Sequence, residues 1–137
     1  MVIVDSSVLI DFLYGRQNPQ TDWLARHVGS QPIGITSLIQ CETLQGIRSE
    51  KRFIEAVDAL EQFVIFATDG SALAIAAARN YRRLRELGVT IRSTVDTFVA
   101  TFCIEHGHDL LHRDSDFDRF AEHLGLSVVD PSAGVAN

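Results

Sequence analysis

Cysteine, lysine and long apolar runs are scarce in this 137-residue chain, and each scarcity closes off a class of protein. Cys41 and Cys103 are too few for a disulfide framework and lack metal-ligand spacing, so both read as reduced thiols packed on helices. No apolar stretch approaches the roughly 20 residues that a membrane span needs. The N-terminus opens on an apolar strand closed by an acid, without the basic leader of a signal peptide. No repeat, linker or low-complexity tract divides the chain. The expectation is a cytoplasmic protein with one domain over residues 1–130 and a short loose tail over 131–137.

Positive charge is also in deficit, with 12 basic against 18 acidic residues and a net charge of -6. That sign is wrong for a general nucleic-acid binder, whose phosphate contacts come from Lys and Arg. The distribution matters more than the sum. Lys51 is the single lysine, and Arg79, Arg82, Arg83, Arg85 and Arg92 crowd one short stretch. Arginine's planar fork suits phosphate, while a solvated helix face is the plain alternative.

Short apolar strands are expected at Val2–Val4, Ile33–Ile35, Phe63–Phe66, Asp109–Leu111 and Ser127–Val129. Helical patterns fall between them, near 7–14, 20–29, 36–48, 50–61, 70–87, 94–107 and 115–124. Thr36 or Ser37, Asp69 or Ser71, and Ser93 or Thr94 are expected helix starts; Gly88 and Gly107 are expected stops. Strands alternating with helices argue for an α/β fold, a three-layer α/β/α sandwich around a parallel sheet. Such sheets bind ligands outside the carboxyl ends of their strands.

Four acids stand where a fold does not need them: Asp5, Glu42, Asp96 and Asp114. Asp5 closes the run Val2-Ile3-Val4, and Asp114 follows Leu110-Leu111 at the same sheet edge. Capping of the next helix explains either one alone, although Ser6 and Ser7 make a charge redundant at the first. Glu42 projects between the directions of Leu38 and Ile39, on the apolar face of its helix. Asp96 occupies the first turn of a helix that is apolar on most sides, where dipole stabilisation is the alternative. A converging set of carboxylates raises its members' pKa values unless a cation resolves the repulsion. Oxygen donors suit Mg²⁺ or Mn²⁺, and such ions act on phosphodiesters.

These segments are similar to a known family. Val2-Ile3-Val4-Asp5-Ser6-Ser7-Val8-Leu9-Ile10-Asp11-Phe12-Leu13 resembles the opening of PIN-domain proteins. Thr36-Ser37-Leu38-Ile39-Gln40-Cys41-Glu42 resembles their glutamate-bearing helix, and Thr94-Val95-Asp96-Thr97-Phe98-Val99-Ala100 their third acidic position. Leu110-Leu111-His112-Arg113-Asp114-Ser115-Asp116-Phe117 resembles the fourth. Length and single-domain organisation look most like VapC-type toxins of type II toxin–antitoxin systems. The resemblance implies a Mg²⁺- or Mn²⁺-dependent endoribonuclease. It also implies a homodimer held inactive by a VapB-type antitoxin that fills the active-site groove. By the same resemblance, Asp5, Glu42, Asp96 and Asp114 are catalytic and metal-binding, Asp116 is accessory, and Ser7 orders Asp5 or a water. Arg79, Arg82, Arg83, Arg85 and Arg113 become candidate contacts to RNA or antitoxin. His112 departs from the Thr or Ser of many relatives and reads as a packing residue on a short strand.

Two other classes compete. A binding module of the same fold would hold RNA or a partner without cutting. An aspartyl-phosphate mechanism at Asp5 would want a second Asp two residues on, and that position is Ser7. His27, His106, His108 and His123 assemble no triad, and no Gly-rich phosphate loop is present.

Overall fold

Runs of three or four apolar residues are too short for helices, and in the computed structural model they become the strands of one parallel sheet. The structure describes residues 1–133. In chain order the elements are β1 (Val2–Val4), α1 (Ser6–Leu13), α2 (Pro19–His27), β2 (Ile33–Thr36), α3 (Ser37–Gln45) and α4 (Glu50–Leu60). They continue with β3 (Val64–Phe66), α5 (Ser71–Glu86), α6 (Thr94–His106), β4 (Asp109–Leu111), α7 (Asp116–Leu124) and β5 (Ser127–Val128). All the strand pairs are parallel, in the order β3-β2-β1-β4-β5. The three-layer α/β/α expectation is met. α1 to α4 contact one another as one layer and α5 to α7 as the other, the placement that right-handed crossovers give on either side of β1.

The strands at the centre are fully covered. Ile3, Val4, Ile35, Leu110 and Leu111 have no exposed surface, and Leu9, Ile39, Leu84, Phe117 and Phe120 close over them from the helices. β3 departs from this pattern. It is one of the two edge strands, and Val64 and Ile65 each keep 41% of their surface exposed. Gly34 on β2 is required by close approach: a Cβ there would sit 2.7 Å from Phe66 Cε2 and 2.8 Å from Ile3 Cδ1.

Helix ends follow local chemistry. Thr36 Oγ1 accepts the Ile39 amide and Ser93 Oγ accepts the Asp96 amide, as expected of these caps. α5 differs, because its cap is Gly70 and neither Asp69 nor Ser71 serves. Gly88 and Gly107, with φ of 80° and 68°, follow the ends of α5 and α6. The thiols separate: Cys103 is buried within α6, whereas Cys41 is exposed on α3 and so is not packed as expected. Burial pushes the Cys103 thiol up to about 12. In the expected loose tail, Pro131 to Ala133 form a turn in which Ser132 donates twice to Asp130 Oδ1, and residues 134–137 lie outside the described residues. Among the described residues, no helix is long and apolar enough to cross a membrane.

Candidate metal centre

β1 lies between β2 and β4, so the chain's path reverses beside it and a crevice opens beyond the strand ends. Asp5 stands at that edge, tied across it by its amide, which donates to the Leu111 carbonyl at 3.0 Å. Asp5 is only 2% exposed. Its two carboxylate oxygens have different lives. Oδ2 caps α1, accepting from the Ser7 amide at 3.1 Å and the Ser7 hydroxyl at 2.6 Å. Among the described residues, Oδ1 is buried with no hydrogen-bond partner. Capping and a second role are therefore compatible, because they fall on separate atoms.

Glu42 reaches the same crevice from α3, where Ser6 Oγ donates to its Oε1 at 3.3 Å. Asp96 arrives from the first turn of α6, held by the Asp96 amide on Ser93. Asp5, Glu42 and Asp96 present carboxylate oxygens that all lie within 4.8 Å of one another. Asp96, Asp114 and Asp116 form a second set within the same limit, so Asp96 belongs to both. Asp114 Oδ1 also accepts the Asp116 amide at 3.0 Å, which fixes the turn into α7.

The charges respond to this crowding. Burial, then the proximity of Asp114, raises the Asp5 carboxyl against the lowering effect of its Ser7 hydrogen bonds. Glu42 is raised by burial and then by Asp5. Asp96 is pushed from 3.8 to about 7, first by burial and then by Asp5, Asp114, Glu42 and Asp116. Among the described residues, no arginine or lysine offsets any of these shifts. Hard oxygen donors, an orphaned buried carboxylate oxygen and mutual repulsion without a basic partner fit a divalent cation.

The remaining neighbours hold the acids in place. Ser7 Oγ accepts the Arg113 amide at 3.0 Å while donating to Asp5, and so links the ends of β1 and β4. His112 is buried after β4, with its ring 5.1 Å from that of Phe117 and its Nδ1 accepting the Asp114 amide at 3.1 Å. Burial lowers its pKa.

The PIN-domain family model matches residues 2–123. The chain belongs to the PIN-domain family. This PIN domain is 43% identical over 54 residues to ribonuclease VapC11 of Mycobacterium tuberculosis, a match covering 39% of this chain and 40% of that protein. The matched segment thus spans less than half the relative's length. Solved structures cover nearly all of it at lower identity. The VapBC2 complex of Rickettsia felis, bound to a promoter DNA fragment, gives a TM-score of 0.75 at 13% identity, covering 94% of this chain and 98% of that one. FitAcB of Neisseria gonorrhoeae gives 0.74 at 18%, covering 97% and 99%. At such identities these structures speak for the fold.

Among the described residues, no arginine of this PIN domain pairs with the acids of the crevice. Arg79, Arg82, Arg83 and Arg85 are exposed along α5, and Arg92 is exposed in the segment before α6. Among the described residues they form no ion pair, although Arg85 lies 5.9 Å from the centre of the Tyr81 ring. Arg113 is engaged elsewhere: its Nη1 donates to Gln20 at 2.8 Å and its Nε lies 3.9 Å from Asp11. Ser6 was legible in the sequence only as a possible cap. Its contact with Glu42 depends on α1 packing against α3, which no spacing within one segment reveals.

Proposed function

We propose that this PIN domain is a cytoplasmic Mg²⁺- or Mn²⁺-dependent endoribonuclease, the toxin of a VapBC-type toxin–antitoxin pair. The partnerless Asp5 Oδ1, buried beside Glu42 and Asp96, is the observation that carries this reading. Asp5, Glu42 and Asp96 would hold one cation, and Asp96, Asp114 and Asp116 a second. A divalent cation in such a site supplies water activation and neutralises charge at a scissile phosphodiester. The protein's own part is positional. Ser7 fixes one oxygen of Asp5 and leaves the other open, while Ser6 steadies Glu42 at the far side. The similarity to a ribonuclease VapC supports RNA as the substrate.

An antitoxin partner is supported by the neighbouring VapBC complex and by a groove of about 450 Å³ between α1, α3 and α4. Ile10 and Leu13 of α1 and Thr43 of α3, the helices that carry Ser6 and Glu42, line it together with Ile47 after α3 and Ala56 of α4. A segment with apolar residues in the groove and a basic side chain at the acids would block the site. For the homodimer, an alanine-rich hollow at Ala74, Ala77, Ala78 and Phe98 offers an apolar face.

The test is cleavage of a panel of RNAs by the purified protein with Mg²⁺ or Mn²⁺. Wild type is expected to cut, whereas Asp5→Asn and Asp96→Asn remain folded and yield no products. Undiminished cleavage by both variants overturns the site assignment, and wild-type RNA affinity without products favours the binding-module reading.

A further inference from the structure

His112 has a geometry that packing alone does not require. Its side chain is 7% exposed and packs tilted against the Phe117 ring, yet Nδ1 is aimed at the Asp114 amide. A backbone N–H can only donate, so Nδ1 must carry the lone pair and the ring proton must sit on Nε2. Among the described residues Nε2 is buried without a hydrogen-bond partner, and the Asp118 carboxylate lies 3.7 Å from it. A carboxylate on that side favours the same tautomer. A chain of contacts therefore runs from Asp118 through the imidazole to the backbone of Asp114. Asp114 in turn accepts the Asp116 amide.

We propose that His112 is a positioning residue for the Asp114–Asp116 half of the metal centre. Its rigid ring, wedged against Phe117, holds the Asp114 amide through Nδ1 and thereby sets where the two carboxylates point. The inference rests on the metal reading above, but it concerns a residue that need not touch a cation. Ring packing and hydrogen-bond acceptance can be separated by substitution. His112→Phe keeps an aromatic ring on Phe117 and removes the acceptor. His112→Asn loses the ring and keeps an acceptor, because its Oδ1 takes the place of Nδ1.

The experiment is calorimetric titration of the metal-free full chain with Mn²⁺. His112→Phe is expected to bind about 10-fold more weakly than wild type, and His112→Asn within about threefold of it. Equal affinity of wild type and His112→Phe, or greater loss in His112→Asn, makes His112 a packing residue and overturns the proposal. A wild type that binds no Mn²⁺ removes the metal reading itself, and the proposal with it. A readout independent of the variants is the imidazole ¹⁵N spectrum of the metal-free wild type. It should report the Nε2–H tautomer for His112, and an Nδ1–H tautomer contradicts the assignment.

Discussion

Glu42 on α3 and Asp96 on α6 present carboxylate oxygens within 4.8 Å of each other, although they are 54 positions apart in the sequence. The two helices belong to different layers and meet at the carboxyl end of the sheet. Asp5 completes the set from just past the end of β1, so three elements with separate reasons to fold place three acids in one crevice. Such an arrangement costs stability in the absence of a cation, and several measurable consequences arise from that cost.

The first concerns pH. Asp96 in the folded, metal-free protein holds its proton up to about 7, against an ordinary 3.8. A carboxyl whose folded pKa is raised contributes stability that is full below the ordinary value and lost as pH rises through the folded value. Burial acts on Asp5 and Glu42 in the same direction. The melting temperature of the metal-free protein should therefore fall between about pH 4 and about pH 7, and saturating Mg²⁺ should restore it at the upper end. Mg²⁺ affinity should rise across the same window, because binding displaces protons. A melting temperature that climbs with pH in the absence of metal contradicts the crowding of these acids.

Ser7→Ala removes the hydroxyl that donates to Asp5 and accepts from Arg113. A loss of about 1 kcal/mol of stability is expected, measured by urea denaturation. Divalent-metal affinity should drop by about 10-fold, because Asp5 Oδ2 loses its shorter hydrogen bond. Unchanged affinity would show that the Ser7 amide alone orients Asp5.

Gly34→Ala probes the sheet rather than the site. The new Cβ meets Phe66 and Ile3 at under 3 Å, inside the packed centre of the fold. The expected cost is about 1–3 kcal/mol in denaturation, with the metal affinity of the folded fraction retained. A neutral result would mean that β2 and β3 are less closely packed than described.

Arg82→Glu and Arg85→Glu together reverse charge on the exposed face of α5. If that face guides RNA, binding weakens and its dependence on salt flattens, measured by titration with RNA in the Asp5→Asn background, where no cleavage is expected. An unchanged salt slope returns these arginines to a solvated helix face.

Much of this was legible in the chain because the fold rests on local signals. Apolar triplets alternating with amphipathic stretches required a parallel layered sheet, and acids at the ends of β1 and β4 fell at its ligand-binding edge. Glu42 was legible through its direction on α3, and Asp96 through its place in a helix with little polar surface. What spacing could not show is the sharing of Asp96 between two groups, because that depends on the distance between layers. The same holds for His112, whose burial was expected but whose hydrogen bond to Asp114 arises from a turn. Cys41 misled for a related reason: helical periodicity does not say which neighbour covers a face, and Cys41 is left exposed.

The most direct measurement is anomalous scattering from crystals grown with Mn²⁺. A peak among the carboxylates of Asp5, Glu42 and Asp96 is expected, with a second bounded by Asp96, Asp114 and Asp116 at higher concentration. A saturated crystal with no manganese near Asp5, or with Asp5 Oδ1 turned onto a basic side chain instead, contradicts the metal centre.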